Sequence, residues 1–284
     1  MQRLRIKHTT EYLFPTEVVL NQHRLLLRPR EGHDVRIETS KLEITPSYTI
    51  KWQRDVFDNS LAVVNFLARS NKLIIVSEII IQHYSQAPFD FLLEDYAVKF
   101  PFKYAENEQD DLFAFQQAVF FEDSQVVNSW LQQLGLSNME TFSLLIKLNQ
   151  TISTQFQYRT RDEAGVQSPA QTLLQRSGSC RDYATLFIEA CRCLGLASRF
   201  VSGYLHAQAT EMGNATTHAW AEVYLPGTGW KGFDPTAGVV TGNEHIAVAV
   251  ARDSESVPPV SGSFSGLGVT TPMMKINVQV NLLV

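Results

Sequence analysis

Cysteine is scarce in this 284-residue chain, and what there is sits in one place. Cys180, Cys191 and Cys193 fall within a single short segment, a poor framework for stapling a secreted protein, so reduced thiols are expected. Cys191-x-Cys193 lacks the wider spacing of a zinc knuckle and has no second ligand pair nearby, so neither metal nor other cofactor is expected. Positive charge is also in deficit: 24 Lys and Arg against 29 Asp and Glu leave a net charge of −5, which argues against a nucleic-acid partner. There is no run of about 18 apolar residues to cross a bilayer, so no membrane partner is expected. The segment from Met1 to Phe14 alternates charged and apolar residues and lacks the unbroken core of a signal peptide, which makes the cytoplasm the expected location.

What remains is an ordinary folded composition, 44% hydrophobic and 19% charged, long enough for two cores at roughly one domain per ~150 residues. Residues 1 to about 85 read as antiparallel strands: Arg3–Lys7, Val35–Glu38 and Lys72–Val76 alternate or are β-branched, and Arg28–Gly32 and Asp58–Ser60 supply turns. Pro88, Pro101 and the acidic stretch Glu106–Asp111 break the pattern and set the expected division into a β-rich part, 1–105, and a second part, 106–284. In the second part, residues 123–134 and 138–156 carry apolar residues at helical intervals, and Ser168-Pro169 is a helix start. A helix over 180–194 follows, ended by Gly195, then strands Arg199–Leu205, Ala219–Leu225 and Trp230–Phe233, the last two joined by the turn Pro226–Gly229. The fold class is α+β. The alternating tail Lys275–Val280 is a further strand that packs on the second core or returns to the first part.

A thiol attacks as thiolate, and a helix amino terminus or an adjacent imidazolium favours that form. Cys180 opens the helix, behind Gly178, which permits a sharp entry, and the small Ser179; Cys191 and Cys193 lie inside it and read as packing residues. The base should be a histidine held by a third polar group. His218 begins one strand of the hairpin and Asp234 ends the other; with the turn centred near Gly227 the two positions are nearly symmetric, so pairing sets them side by side. Cys180, His218 and Asp234 are therefore the candidate catalytic residues. The other polar and aromatic residues read as structural. Trp220 and Trp230 fill core space, Tyr204 and Glu222 support the strands, and His206 and His245 lie on the surface or in loops. Asp182 favours the helix dipole or forms a surface ion pair, and Arg24, Arg28 and Arg30 form a solvated strand face.

Gly178–Ala184, Thr217–Val223 and Gly229–Thr236, in the order Cys, His, Asp, together resemble the signature blocks of the transglutaminase-like superfamily. Tyr12, Leu27–Arg30 and Asp55–Asn59 resemble pieces of the β-rich amino-terminal domain of its bacterial members. The resemblance implies a papain-like transglutaminase core, helices packed on an antiparallel sheet, behind a β-sandwich-like domain. It also implies Cys180 as nucleophile, His218 as general base and acid, and Asp234 as orienting carboxylate, with the Cys180 N–H as an oxyanion donor. The chain has no calcium loop of the kind animal transglutaminases use, so hydrolysis of a peptide, isopeptide or related amide is expected ahead of acyl transfer to an amine. A peptide, protein or other amide is the expected partner. A scaffold that binds peptides without catalysis is the alternative from another class.

Overall fold

The computed structural model describes residues 1–84, 88–161, 163, 165–207, 212, 217–266 and 271–283. Its first strand, β1 (Gln2–Leu20), buries its even-numbered side chains along nearly its whole length, as a pleated ribbon with one face covered must. The register with its neighbour shifts between Leu13 and Val18, around Pro15, which has no N–H to give the ladder. The two halves of β1 thereby serve different cores. Phe14, Val18 and Leu20 face Leu25, Leu27, Ala62 and Val64 in a sandwich interior, whereas Leu4 and Ile6 join the core of the second part.

The remaining strands of the first part are β2 (His23–Leu25), β3 (Val35–Thr45), β4 (Tyr48–Arg54), β5 (Ser60–Phe66) and β6 (Ser70–His83). β1, β6 and β3 lie in one sheet and β2, β5 and β4 in the other. The β-sandwich-like expectation corresponds to this pair of sheets.

Helices α1 (Glu106–Gln116), α2 (Ser124–Gln133) and α3 (Thr141–Gln155) follow. The acidic stretch Glu106–Asp111, expected to interrupt any regular pattern, lies in α1. This helix buries only Leu112, so it carries no apolar stripe; its acidic first turn, with Glu106 and Glu108, suits the positive end of the helix dipole. Next come β7 (Gln157–Tyr158), α4 (Pro169–Gln175), β8 (Ser177–Gly178) and α5 (Cys180–Cys193). α4 starts on the expected Ser168, whose hydroxyl accepts from the Gln171 N–H. α5 ends where Gly195 takes φ +79°, a conformation costly for any residue with a Cβ.

β9 (Ser198–Leu205), β10 (His218–Leu225), β11 (Gly229–Asp234), β12 (Val239–Val240) and β13 (His245–Ala251) form an antiparallel sheet in the order β12-β11-β10-β9-β13. Ala219, Ala221, Val223 and Phe233 share a core with Tyr183, Phe187 and Cys191 of α5, and Phe187 stacks on Phe233 at 5.5 Å. β13 was not anticipated. Its sequence alternates alanine with Ile246, Val248 and Val250, and most of it is buried, so neither a charged face nor a polar period marks it as a strand.

The tail forms β14 (Val260–Ser261), β15 (Phe264–Ser265) and β16 (Met273–Leu282). All three pair with strands of the first part, β14 with β2 and β15 and β16 with β1, and β16 does so in continuous register from Leu282 opposite Leu4 to Met273 opposite Leu13. The expected unit 106–284 grouped this tail with the second part. Its backbone pairing lies instead in the first, because β1 has a free edge and Val278 and Val280 complete the row begun by Leu4 and Ile6.

Candidate active site

Cys180 is the first residue of α5, and its surroundings are built by Asp182. The Asp182 Oδ2 accepts from the Ser179 N–H at 2.8 Å and the Ser179 hydroxyl at 2.9 Å, while Oδ1 accepts from the Gln167 N–H at 2.7 Å and from Arg161 Nη1 at 2.9 Å. Asp182 is fully buried, not a surface partner. Gly178 is needed for space: a Cβ there would lie 2.8 Å from the Asp182 Cβ and 3.1 Å from Gln167 Nε2. Its φ is not positive, so close approach and not a left-handed turn explains it.

β8, the segment entering Cys180, pairs in parallel with β7, and the Arg159 N–H donates to the Gly178 carbonyl at 2.9 Å. That pairing sets Tyr158 beside the nucleophile elbow. Burial together with the charge of the Cys180 sulfur pushes its phenol up to about 12. Sequence reading missed Tyr158; a lone tyrosine 22 positions upstream offers no local signal.

His218 and Asp234 meet across the hairpin, with His218 Nε2 to Asp234 Oδ2 at 2.8 Å. Leu225 pairs with Gly229 and Ala221 with Phe233, so the hairpin has its expected centre at Gly227; what differs is the expected side-by-side placement of positions 218 and 234. Asp234 is thus diagonal to His218 and not directly opposite. A displacement of two residues preserves the side-chain face, and diagonal neighbours remain within reach of a long side chain, so the contact survives the slip.

With Nε2 on the carboxylate, Nδ1 is the ring nitrogen left for the thiol. Burial alone would depress His218; the hydrogen bond to Asp234, with the negative charge of Asp234 and Cys180, carries it up to about 10. Asp234 shows the converse. Burial would raise it, but hydrogen bonds from His218 and His245 and their charge hold it well below the usual carboxylate range. Its other oxygen, Oδ1, accepts from the Thr236 N–H at 2.9 Å. The structure therefore brings Cys180, His218 and Asp234 together, in a setting that favours the charged forms of His218 and Asp234.

His245, expected on the surface or in a loop, is buried and reaches the same carboxylate oxygen at 3.1 Å through Nε2. The ligand atoms of His218, Asp234 and His245 lie within 4.8 Å of one another, a spacing that could hold a cation if both imidazoles gave up their Nε2 protons. The edge of Trp220, 5.3 Å from His245, packs beside it in the core. Arg199 stacks on Trp230 at 4.1 Å and pairs with Glu222 at 2.7 Å. Tyr204 is buried against His8, at 3.1 Å. A cleft of 360 Å³ between the first part and β10–β11 is walled by Arg30, Glu222, Trp230 and His245 among others; neither Cys180 nor His218 lines it.

Of the three arginines expected on a solvated face, Arg24 is exposed and Arg28 pairs with Glu31. Arg30 is half-buried. Its Nη1 donates to the Phe57 carbonyl and to Asn59 Oδ1, both at 2.9 Å. Asn59, fully buried, spans the two parts: its Nδ2 donates to the Val250 carbonyl at 2.7 Å and its Oδ1 accepts from the Val250 N–H at 2.9 Å. Asp55 holds Asn59 from behind at 2.8 Å, so the turn Asp55–Asn59 caps the open edge of β13.

A helix-start thiol packed on an antiparallel sheet, with imidazole and carboxylate on adjacent strands and a sandwich at the amino terminus, defines the class of transglutaminase-like, papain-like folds. Residues 129–235 match the family model of the transglutaminase-like superfamily, and residues 4–82 match that of the bacterial transglutaminase-like N-terminal region. The chain belongs to the transglutaminase-like superfamily and carries the bacterial N-terminal region. A proposed cysteine protease from Cytophaga hutchinsonii shares the fold at TM-score 0.77 and 18% identity, over 99% of this chain and 91% of that one. Among curated relatives, an uncharacterized protein of Mycobacterium leprae is 23% identical over 95% of this chain and 96% of its own length. One of Mycobacterium bovis is 27% identical over 92% and 87%. At the level of the superfamily the chemistry is that of thiol-dependent hydrolases and acyl transferases.

Proposed function

We propose that the protein hydrolyses a peptide, isopeptide or related amide bond through a Cys180–His218–Asp234 triad. One observation carries the reading: the 2.8 Å bond between His218 Nε2 and Asp234 Oδ2, which leaves the other face of the ring for the thiol at the start of α5. The Cys180 sulfur attacks the carbonyl carbon and the carbonyl oxygen takes the negative charge, facing the Cys180 N–H at the α5 amino terminus. Tyr158, set beside the segment that enters Cys180 by the β7–β8 pairing, is the second donor we assign to that oxygen. The C–N bond breaks as His218 delivers its proton to the leaving amine, which leaves a thioester on Cys180. A water, giving a proton to His218, then releases the acid and restores the thiol.

Acyl transfer to a primary amine is the second reading, favoured by the superfamily match. Both share the thioester, so the test is its interception. With a peptide and isopeptide library, hydroxylamine should divert product from acid to hydroxamate, and Cys180→Ala should abolish both. Hydroxamate formation that persists in Cys180→Ala would sink the reading. Product that forms only when an amine is supplied would select transfer. We place the enzyme in the cytoplasm, in keeping with three unpaired cysteines.

A further inference from the structure

His245 is a buried titratable group in contact with the triad that the steps above leave without a task. Its Nε2 and that of His218 approach the same oxygen, Asp234 Oδ2, at 3.1 and 2.8 Å. The Gly242 N–H points to His245 Nδ1 at 3.5 Å, so Nδ1 accepts and Nε2 carries the proton. The ring is fixed from several sides. The Trp220 edge packs on it, and its strand is paired to β9 on one edge and to the first part on the other, through Arg30 N–H to the Ala247 carbonyl at 2.8 Å and Asn59 to Val250. The titratable groups around it are Asp234 on β11, His218 on β10 and His83 on β6, and His83 Nδ1 is bonded to the Asn243 carbonyl at 2.7 Å.

We propose that His245 is a positioning residue: by donating its Nε2–H to Asp234 Oδ2 it stops the carboxylate from turning, so that the oxygen stays aimed at His218 and the His218 ring stays aimed at Cys180. The proposal rests on the triad reading above. A carboxylate held only by His218 and the Thr236 N–H can rotate about its Cβ–Cγ bond and trade partners. With the third donor it has one orientation. The first part, by bracing β13, contributes to the site through His245.

The test is alkylation of Cys180 by iodoacetamide at pH 5 and pH 9, in wild type, His245→Phe and His245→Gln, with thermal melting of each. At pH 5 a thiol is ionised chiefly through its imidazolium partner, whereas at pH 9 any accessible thiol ionises. His245→Phe should react about ten-fold or more slowly than wild type at pH 5 and within about three-fold of it at pH 9. His245→Gln, which keeps an N–H, should recover most of the pH 5 rate. A folded His245→Phe with the wild-type rate at pH 5, or a folded His245→Gln as slow as His245→Phe, overturns the proposal. So does loss of the wild-type rate on adding EDTA, since a cation and not a proton would then bridge the groups. Should the variants fail to fold, long-range ¹H–¹⁵N spectra of the wild-type histidines at pH 7 decide: Nε2–H on His245 supports the proposal, and the opposite tautomer or an averaged pair refutes it. A slow wild type at pH 5 defeats the triad itself; a fast wild type with an equally fast His245→Phe defeats only this inference.

Discussion

Two carboxylates carry the local chemistry, and they differ in how visible they are. Asp234 announces itself because it ends a strand that a glycine turn folds back on His218. Asp182 looks like an ordinary acid in the first turn of a helix, yet it is fully buried and accepts four hydrogen bonds. Nothing in a local sequence window says that Arg161 and Gln167 will converge on it. Replacing Asp182 with Asn leaves the Arg161 guanidinium, only 18% exposed, without its buried partner. The expected loss is about 3–5 kcal/mol of unfolding free energy, read by urea denaturation; a loss below about 1 kcal/mol would remove Asp182 from the account.

His8 gives a pH prediction of opposite character. It is buried neutral between Tyr204 and Thr10, and burial depresses its pKa to about 4. Its folded value lies below the unfolded value of about 6.5, so the unfolded chain binds the proton more readily. The contribution to stability is full above about pH 6.5 and is lost as pH falls through about 4, on the order of 3 kcal/mol. Thermal melting of wild type should decline over that window, and in His8→Gln the decline should be shallower; parallel curves would contradict it.

At the scale of elements, period and capping made α2, α3, α4, α5 and the β10–β11 hairpin legible, because each pairs a clear apolar pattern with a turn or cap residue. α1 and β13 escaped for opposite reasons. α1 has almost no buried face, and β13 has almost no exposed one. The hairpin turns at Gly227 as its glycines indicate, yet His218 and Asp234 stand two residues out of direct opposition, and the site tolerates this because side-chain direction repeats every second residue. β13 also depends on a partner distant in sequence, the turn Asp55–Asn59. Asn59→Ala removes both bonds to Val250 and leaves buried backbone groups unpaired, which should cost about 2–4 kcal/mol. Amide exchange at Val250 should accelerate more than at Val201 in the middle of the sheet; equal acceleration would show that the turn supports the fold globally and not this edge.

Over the whole molecule, the division by composition captured the change from strands to helices but not how the chain closes. The tail crosses back to complete the sheet around β1, and the far ends of β1, β6 and β16 share one core with α5 and the sheet of β9–β13. A fragment of residues 1–105 lacks β16 and exposes that row, from Leu4 and Ile6 to Ile79 and Ile81. It should show no dispersed amide spectrum until a peptide spanning residues 271–284 is added. A well-dispersed spectrum from the fragment alone would show that the first part folds independently. The whole chain has no described helix long and apolar enough to span a membrane.

The central claim is that a hydrogen-bonded imidazolium keeps the Cys180 sulfur reactive. Its most direct measurement is the rate of iodoacetamide alkylation of wild-type Cys180 at pH 5, followed by peptide mass spectrometry, against the same cysteine in urea. A free thiol at that pH is ionised to only about one part in 3,000, and even with the lower nucleophilicity of an acidic thiolate the folded protein should react at least about ten-fold faster. Equal or slower reaction in the folded protein would contradict the account.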